Sequence, residues 1–142
     1  MKRALLGVLL VAACATQSNV ATPLVTISQR SAVATYQVSI PGGVPIDYDV
    51  EVTNPLDQAI TLKSLEIETV GLSGAYTMKR LRHAFDLTVA PHSTQTVPIR
   101  AWVQRLQETD HGDASALVNI RGIARFDSAN GPLKTAFVSR VQ

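Results

Sequence analysis

One cysteine, one tryptophan and three histidines are all that a chain of 142 residues offers to thiol, indole and imidazole chemistry. A lone cysteine excludes an internal disulfide framework, so the fold must rest on its apolar core. His83, His92 and His111 stand at no metal-ligand spacing such as H-x-x-x-H. No G-x-S-x-G is present to mount a nucleophile on a strand-to-helix turn. The chain also lacks an apolar run near the roughly 20 residues that span a bilayer as a helix. Internal repeats are absent. Charge excess is small, with 13 Lys and Arg against 11 Asp and Glu.

The longest apolar run lies at the start. Lys2 and Arg3 precede Ala4 to Ala13, ten uncharged residues. A charged start, a short apolar core and a small-residue exit form the pattern of an export signal. Its end, Val11-Ala12-Ala13-Cys14, resembles the lipobox of bacterial lipoproteins, an aliphatic residue and two small residues before a cysteine. The resemblance implies cleavage between Ala13 and Cys14, a thioether-linked diacylglycerol on Cys14, and a third, palmitate-type acyl chain on the new amino terminus. An ordinary secretory cut is the alternative, and it leaves an unpaired thiol in an oxidising space. Buried acyl carbons contribute about 0.8 kcal/mol each, so two or three chains hold where one does not. Ala15, not Asp, follows the cysteine. Resemblance to sorted lipoproteins therefore implies the cell envelope, at the outer membrane facing the periplasm where the host has two membranes.

The expected organisation is a signal at 1–13, lipidated Cys14 with a tether at 14–23, and one domain at 24–142. Lys2 and Arg3 leave with the signal, so the mature chain carries 11 residues of each sign. A nucleic-acid partner, which needs a basic face, is not expected. Ala15 to Thr22 is small and polar and is closed by Pro23. Fully extended, such a tether reaches at most about 26–29 Å. The expected partner is thus the membrane itself, through lipid on Cys14, with another envelope protein as a second candidate and no cofactor or small-molecule substrate.

Period-two patterning dominates the rest. Leu24 to Ser28 and Val33 to Ile40 read as strands, and Pro41-Gly42-Gly43 breaks the chain. Ile46, Tyr48, Val50 and Val52 alternate with Asp47, Asp49, Glu51 and Thr53, the pattern of a half-buried strand. Asn54-Pro55-Leu56-Asp57 supplies turn chemistry. Ile60 and Leu62 share one parity, Leu65 and Ile67 the other, which predicts a β-bulge near Lys63-Ser64. Gly71 to Gly74 reads as a turn. Met78 to Val89 is compatible with a short helix, but Leu81, Phe85, Leu87 and Val89 at period two favour a strand. Pro91-His92-Ser93 is a turn, and Val97, Ile99, Ala101 and Val103 alternate. Pro98 predicts an edge strand or an irregularity there. Gln104 to Ala114 reads as a long polar loop, Val118 to Phe126 as a strand, Asp127 to Pro132 as a hairpin turn around Asn130-Gly131, and Leu133 to Val141 as the last strand. Seven or eight strands with little helix predict an all-β antiparallel sandwich.

Val50-Glu51-Val52-Thr53-Asn54-Pro55, the strand Ile60 to Ile67, the Gly71 to Gly74 turn, Val89-Ala90-Pro91-His92-Ser93-Thr94 before Val97-Pro98-Ile99, and Gly122 with the closing hairpin resemble the late-embryogenesis-abundant type 2 family, also called the water-stress and hypersensitive-response domain. The likeness covers most of the mature chain through short motifs. It implies an immunoglobulin-like sandwich, often on an exported or membrane-tethered protein, and carries no catalytic residues.

Several side-chain groups invite a sharper reading. Asp47, Asp49 and Glu51 lie on one strand face, but a straight strand spreads the oxygens a cation needs to converge. A solvated face opposite Lys79, Arg80 or Arg82 is expected instead. Asp110-His111-Gly112-Asp113 is the most reactive-looking cluster, and a hydrolase or metal-binding role for that loop is the third functional expectation. Trp102 points outward with Arg100 and suits partner binding, or packing under the following loop. Lys79-Arg80-Leu81-Arg82 reads as solvated charge or a contact for acidic headgroups. The leading expectation is a non-enzymatic, membrane-anchored envelope module for interaction or stress protection. The alternative is an accessory subunit of an envelope complex, engaging its partner through an edge strand or the Trp102 face.

Overall fold

The computed structural model describes residues 21–30, 43–71, 74–105 and 117–142. Its strands in chain order are β1 (Leu24–Gln29), β2 (Val44–Asn54), β3 (Ile60–Thr69), β4 (Tyr76–Thr77), β5 (Leu81–Val89), β6 (Ser93–Arg105), β7 (Val118–Ser128) and β8 (Gly131–Val141). They form two four-stranded sheets, ordered β1-β2-β6-β4 and β5-β3-β7-β8, and every pairing is antiparallel. The chain crosses between sheets at β2–β3, β3–β4, β4–β5, β5–β6 and β6–β7, as repeated crossings in an immunoglobulin-like sandwich require. The expected strand at Val33–Ile40 lies outside the described residues. The eighth place is taken by β4, whose two residues are too few to show a period.

Alternation turns one side of each strand inward. Ile46, Tyr48, Val50 and Val52 of β2 face Leu62, Leu65, Ile67, Ile120 and Phe126 of the other sheet's strands, all at most 2% exposed. Full burial of each such side chain contributes about 1.5–3 kcal/mol. The ion pairs, by contrast, lie on water-screened outer faces, so the core holds the two sheets together.

The irregularity in β3 falls where its parity changes. Register shifts between Leu62 and Ser64. Leu62 opposes Phe126 and Leu65 opposes Ala124, so three residues of β3 span two of β7. This re-aims Leu65 and Ile67 into the core. Met78–Val89 resolves as a strand from Leu81 onward, with Leu81, His83, Phe85 and Leu87 half-buried because β5 is an edge. β6 pairs with β2 from Ser93 to Val103 but with β4 only at Gln104 and Arg105. Pro98 therefore lies where one side of the strand has no partner among the described residues, and its missing N–H costs no ladder bond there.

Two expected turns are shorter than their composition suggested. Gln104 and Arg105 belong to β6, because β4 gives them a partner. The remainder of that polar loop, with Asp110, His111 and Asp113, lies outside the described residues. At the last hairpin Ser128 pairs with Gly131. The positive φ of 111° falls on Gly131 and not on Asn130, as in a turn followed by a glycine bulge.

Asn54 is fully buried, and its side chain joins two of the sheet crossings. Its Nδ2 donates to the carbonyls of Gln58 (2.8 Å), Val89 (3.1 Å) and Ala90 (3.1 Å), while its Oδ1 accepts from Leu56 N (3.0 Å). The β2–β3 turn and the end of β5 are thereby pinned together. At the far edge β1 runs beside β8: Ile27 N donates to Ser139 Oγ (3.1 Å) and Thr135 Oγ1 to the Pro23 carbonyl (3.1 Å).

Candidate functional site

The outer face of the first sheet carries Trp102, which is 61% exposed. Its register partner on β2 is Pro45. Most of its surface is open to solvent. Arg100, two residues back on the same face, is held by Asp47: Nε to Oδ1 at 2.7 Å and Nη2 to Oδ2 at 3.1 Å. That fork holds the Asp47 carboxyl below the usual range. Asp49 is paired with Arg30 through Nη2 and Nε, and Glu51 is exposed. The expected partners Lys79, Arg80 and Arg82 play no part here. Arg80 and Arg82 reach the opposite sheet instead, since β5 pairs with β3. Each carboxylate of the Asp47–Glu51 row thus stands apart, and the row forms no convergent oxygen cage.

A second charged surface, on the outer face of the other sheet, was not legible in the sequence. Glu68 Oε1 accepts from Arg80 Nη2 (3.1 Å) and pairs with Arg121 Nη2 (2.7 Å). Glu66 Oε1 accepts from Arg125 Nη1 (3.0 Å), with Arg82 Nε at 3.9 Å. Hydrogen bonds from Arg80 and then Arg121 hold the Glu68 carboxyl below its ordinary value. The two glutamate side chains are about 20% exposed, whereas the four arginines are 44–67% exposed. Guanidinium, not carboxylate, is what this face presents. The i, i+2 spacing of Glu66 and Glu68 marks an outer face in sequence. Which arginines meet them depends on strand order.

Buried polar groups serve structure. Tyr48 OH donates to Tyr76 OH (2.7 Å), which donates to Gln29 Oε1 (2.8 Å). Burial pushes the Tyr76 hydroxyl up to about 12 and raises Tyr48 as well. Both stay protonated around neutral pH and act as hydrogen-bond donors. His92 pairs with Asp57 (2.7 Å) on the surface. Among the described residues no group of three or more His, Cys, Asp or Glu is placed to hold a metal ion. Ala13, Cys14 and the Asp110–Asp113 cluster lie outside them.

Among the described residues His83 is the exception to polar satisfaction. Its Nε2 is buried without a hydrogen-bond partner, beside the Phe85 ring at 6.2 Å between centroids. Desolvation pushes the imidazole below its usual value. The unfolded chain then binds this proton at a higher pH than the folded one. Stability is therefore full above the ordinary imidazole range and falls as pH drops through it. Between about pH 7.5 and about pH 5, above the ordinary carboxylate range, the urea midpoint of the protein should fall further than that of His83→Gln. Equal falls would show that His83 does not titrate against burial.

The fold and these surfaces define a small antiparallel sandwich domain with two differently charged outer faces. No family model matches the chain, and no curated protein matches it. A solved structure, that of the Northeast Structural Genomics Consortium target SoR45, is similar at a TM-score of 0.48 and 12% identity, over 85% of this chain and 81% of its own. A likeness of that degree carries no functional argument.

Proposed function

We propose that the protein is a membrane-anchored lipoprotein of the cell envelope, cleaved after Ala13 and held by lipid on Cys14. Its sandwich acts as a non-enzymatic interaction or stress-protective module. The observation that carries this reading is Val11-Ala12-Ala13-Cys14 behind a ten-residue apolar run, with the chain's sole cysteine at that point. The likeness to the late-embryogenesis-abundant type 2 family belongs to the same proposal. It is supported by the Asn54-Pro55 turn, where Asn54 has a buried structural role. Intact mass and membrane fractionation test the anchor. Cys14→Ser should lose the acyl mass and the membrane fraction together. A wild type without acyl mass, alongside a variant that still sediments with membranes, would overturn it.

Trp102 supports a second reading, an accessory subunit that engages another envelope protein. An indole 61% exposed on a strand face is unusual unless something covers it. Affinity capture from the native membrane, compared with Trp102→Ala, tests this. Identical partner sets would remove Trp102 from the reading.

A further inference from the structure

We infer that the outer face of β3, β5, β7 and β8 docks on an anionic phospholipid bilayer, with Lys134 and Arg140 as its free cations around an apolar centre of Ile123, Ala136 and Val138. The inference rests on the lipid-anchored reading for its orientation.

Charge is the first argument. Four arginines share Glu66 and Glu68, and Lys63 pairs with Asp86. Asp127 adds one carboxylate at the rim. Lys134 and Arg140 have no carboxylate partner among the described residues, so cations outnumber carboxylates on this face by seven to four. The opposite face has Asp47, Asp49 and Glu51 against Arg30 and Arg100. Among the described residues the charge is therefore polarised across the two sheets, and an anionic surface attracts one face and repels the other.

Shape and apolar exposure give the second. Val138 is 70% exposed and stands opposite Arg121 in register, while Ala136 opposes Ile123. Arg125 opposes Lys134 beyond them. Apolar side chains framed by cations suit the boundary between headgroups and acyl chains. A concavity of about 430 Å³ beside them is lined by Lys63, Arg82, Arg125 and Lys134, with Asp127 as its one carboxylate.

The tether gives the third. Thr135 Oγ1 donates to the Pro23 carbonyl, so the chain joins the domain next to Lys134. The tether from Cys14 reaches about 26–29 Å at most, which delivers this end of β8 to the bilayer first.

The test uses the mature chain with Cys14→Ser, so that no acyl chain holds it and the outcome is independent of lipidation. In low salt it should float with vesicles of phosphatidylcholine and phosphatidylglycerol, stay behind with phosphatidylcholine alone, and release in high salt. Lys134→Gln and Arg140→Gln should each weaken binding roughly five-fold and together about thirty-fold. Both residues lie outside the arginine–glutamate pairs, and circular dichroism checks that the variants fold. Thr96→Ala on the opposite face should bind as the wild type does. Equal flotation with both vesicle types, no flotation with either, an unaffected double variant, or loss of binding in Thr96→Ala would each overturn the inference.

Discussion

Asn54→Asp should lower the unfolding free energy by about 3–5 kcal/mol at neutral pH, the largest single-residue effect expected in the domain. The substitution keeps shape and volume. What changes is the atom facing the Gln58, Val89 and Ala90 carbonyls, now 2.8–3.1 Å from a donor. An oxygen there loses all three bonds and sets lone pair against lone pair in a site without water contact. Asn54→Ala should cost less, about 2–3 kcal/mol, because it removes the bonds without adding a charge. The aspartate variant has a further signature. Its buried carboxyl must have a folded pKa above the unfolded one, so its stability deficit should shrink as pH falls. Urea unfolding across pH measures both effects. A deficit for Asn54→Asp below about 1 kcal/mol would show that the pin between the two crossings is dispensable.

Gly122→Ala should destabilise by about 1–3 kcal/mol through overpacking alone. Gly122 needs no special backbone here. What it lacks is a Cβ, and an added one would lie 2.3 and 2.6 Å from Phe137 Cζ and Cε1 and 2.9 Å from the Glu66 carbonyl. The Phe137 ring therefore lies across the strand in the space a side chain would fill. Phe137→Leu removes the two nearest atoms, so the double variant should recover part of the loss relative to Phe137→Leu alone. Recovery should be incomplete because the Glu66 backbone cannot withdraw. Thermal unfolding of the four proteins gives the coupling. A double variant showing simple additivity would place the strain elsewhere.

These two residues also mark how far patterning reaches. Asn54-Pro55 reads as a turn, and the Asn54 side chain does bond the backbone two residues on. Its bonds to Val89 and Ala90 span more than thirty residues of sequence and follow from sheet crossing alone. Gly122 reads as one more inward position of a strand. Only the register Gly122–Phe137 shows why the position is empty of a side chain. The charged surfaces divide likewise. Parity put Asp47, Asp49 and Glu51 on an outer face correctly, but assigned them cations that lie on the other sheet. The cluster of four arginines and two glutamates draws on strands β3 and β7 and on Arg80 and Arg82 at and just before β5, and no local window contains it.

What the sequence determined by itself follows from short-range rules. Side-chain period fixes strand and face, a change of parity locates the bulge at Lys63-Ser64, and proline and glycine mark the breaks, because backbone dihedrals and pleat act over a few residues. The cysteine behind its apolar run is equally local, and it carries the proposal about attachment. The tertiary structure alone decided strand order, and with it which charges meet. It drew Arg100 onto Asp47, left Trp102 mostly exposed, and gathered guanidinium over Glu66 and Glu68 beside Lys134. Those pairings depend on closing loops tens of residues long around one shared core. Burial of that core selects the closure, and the surface charges take the neighbours it leaves them.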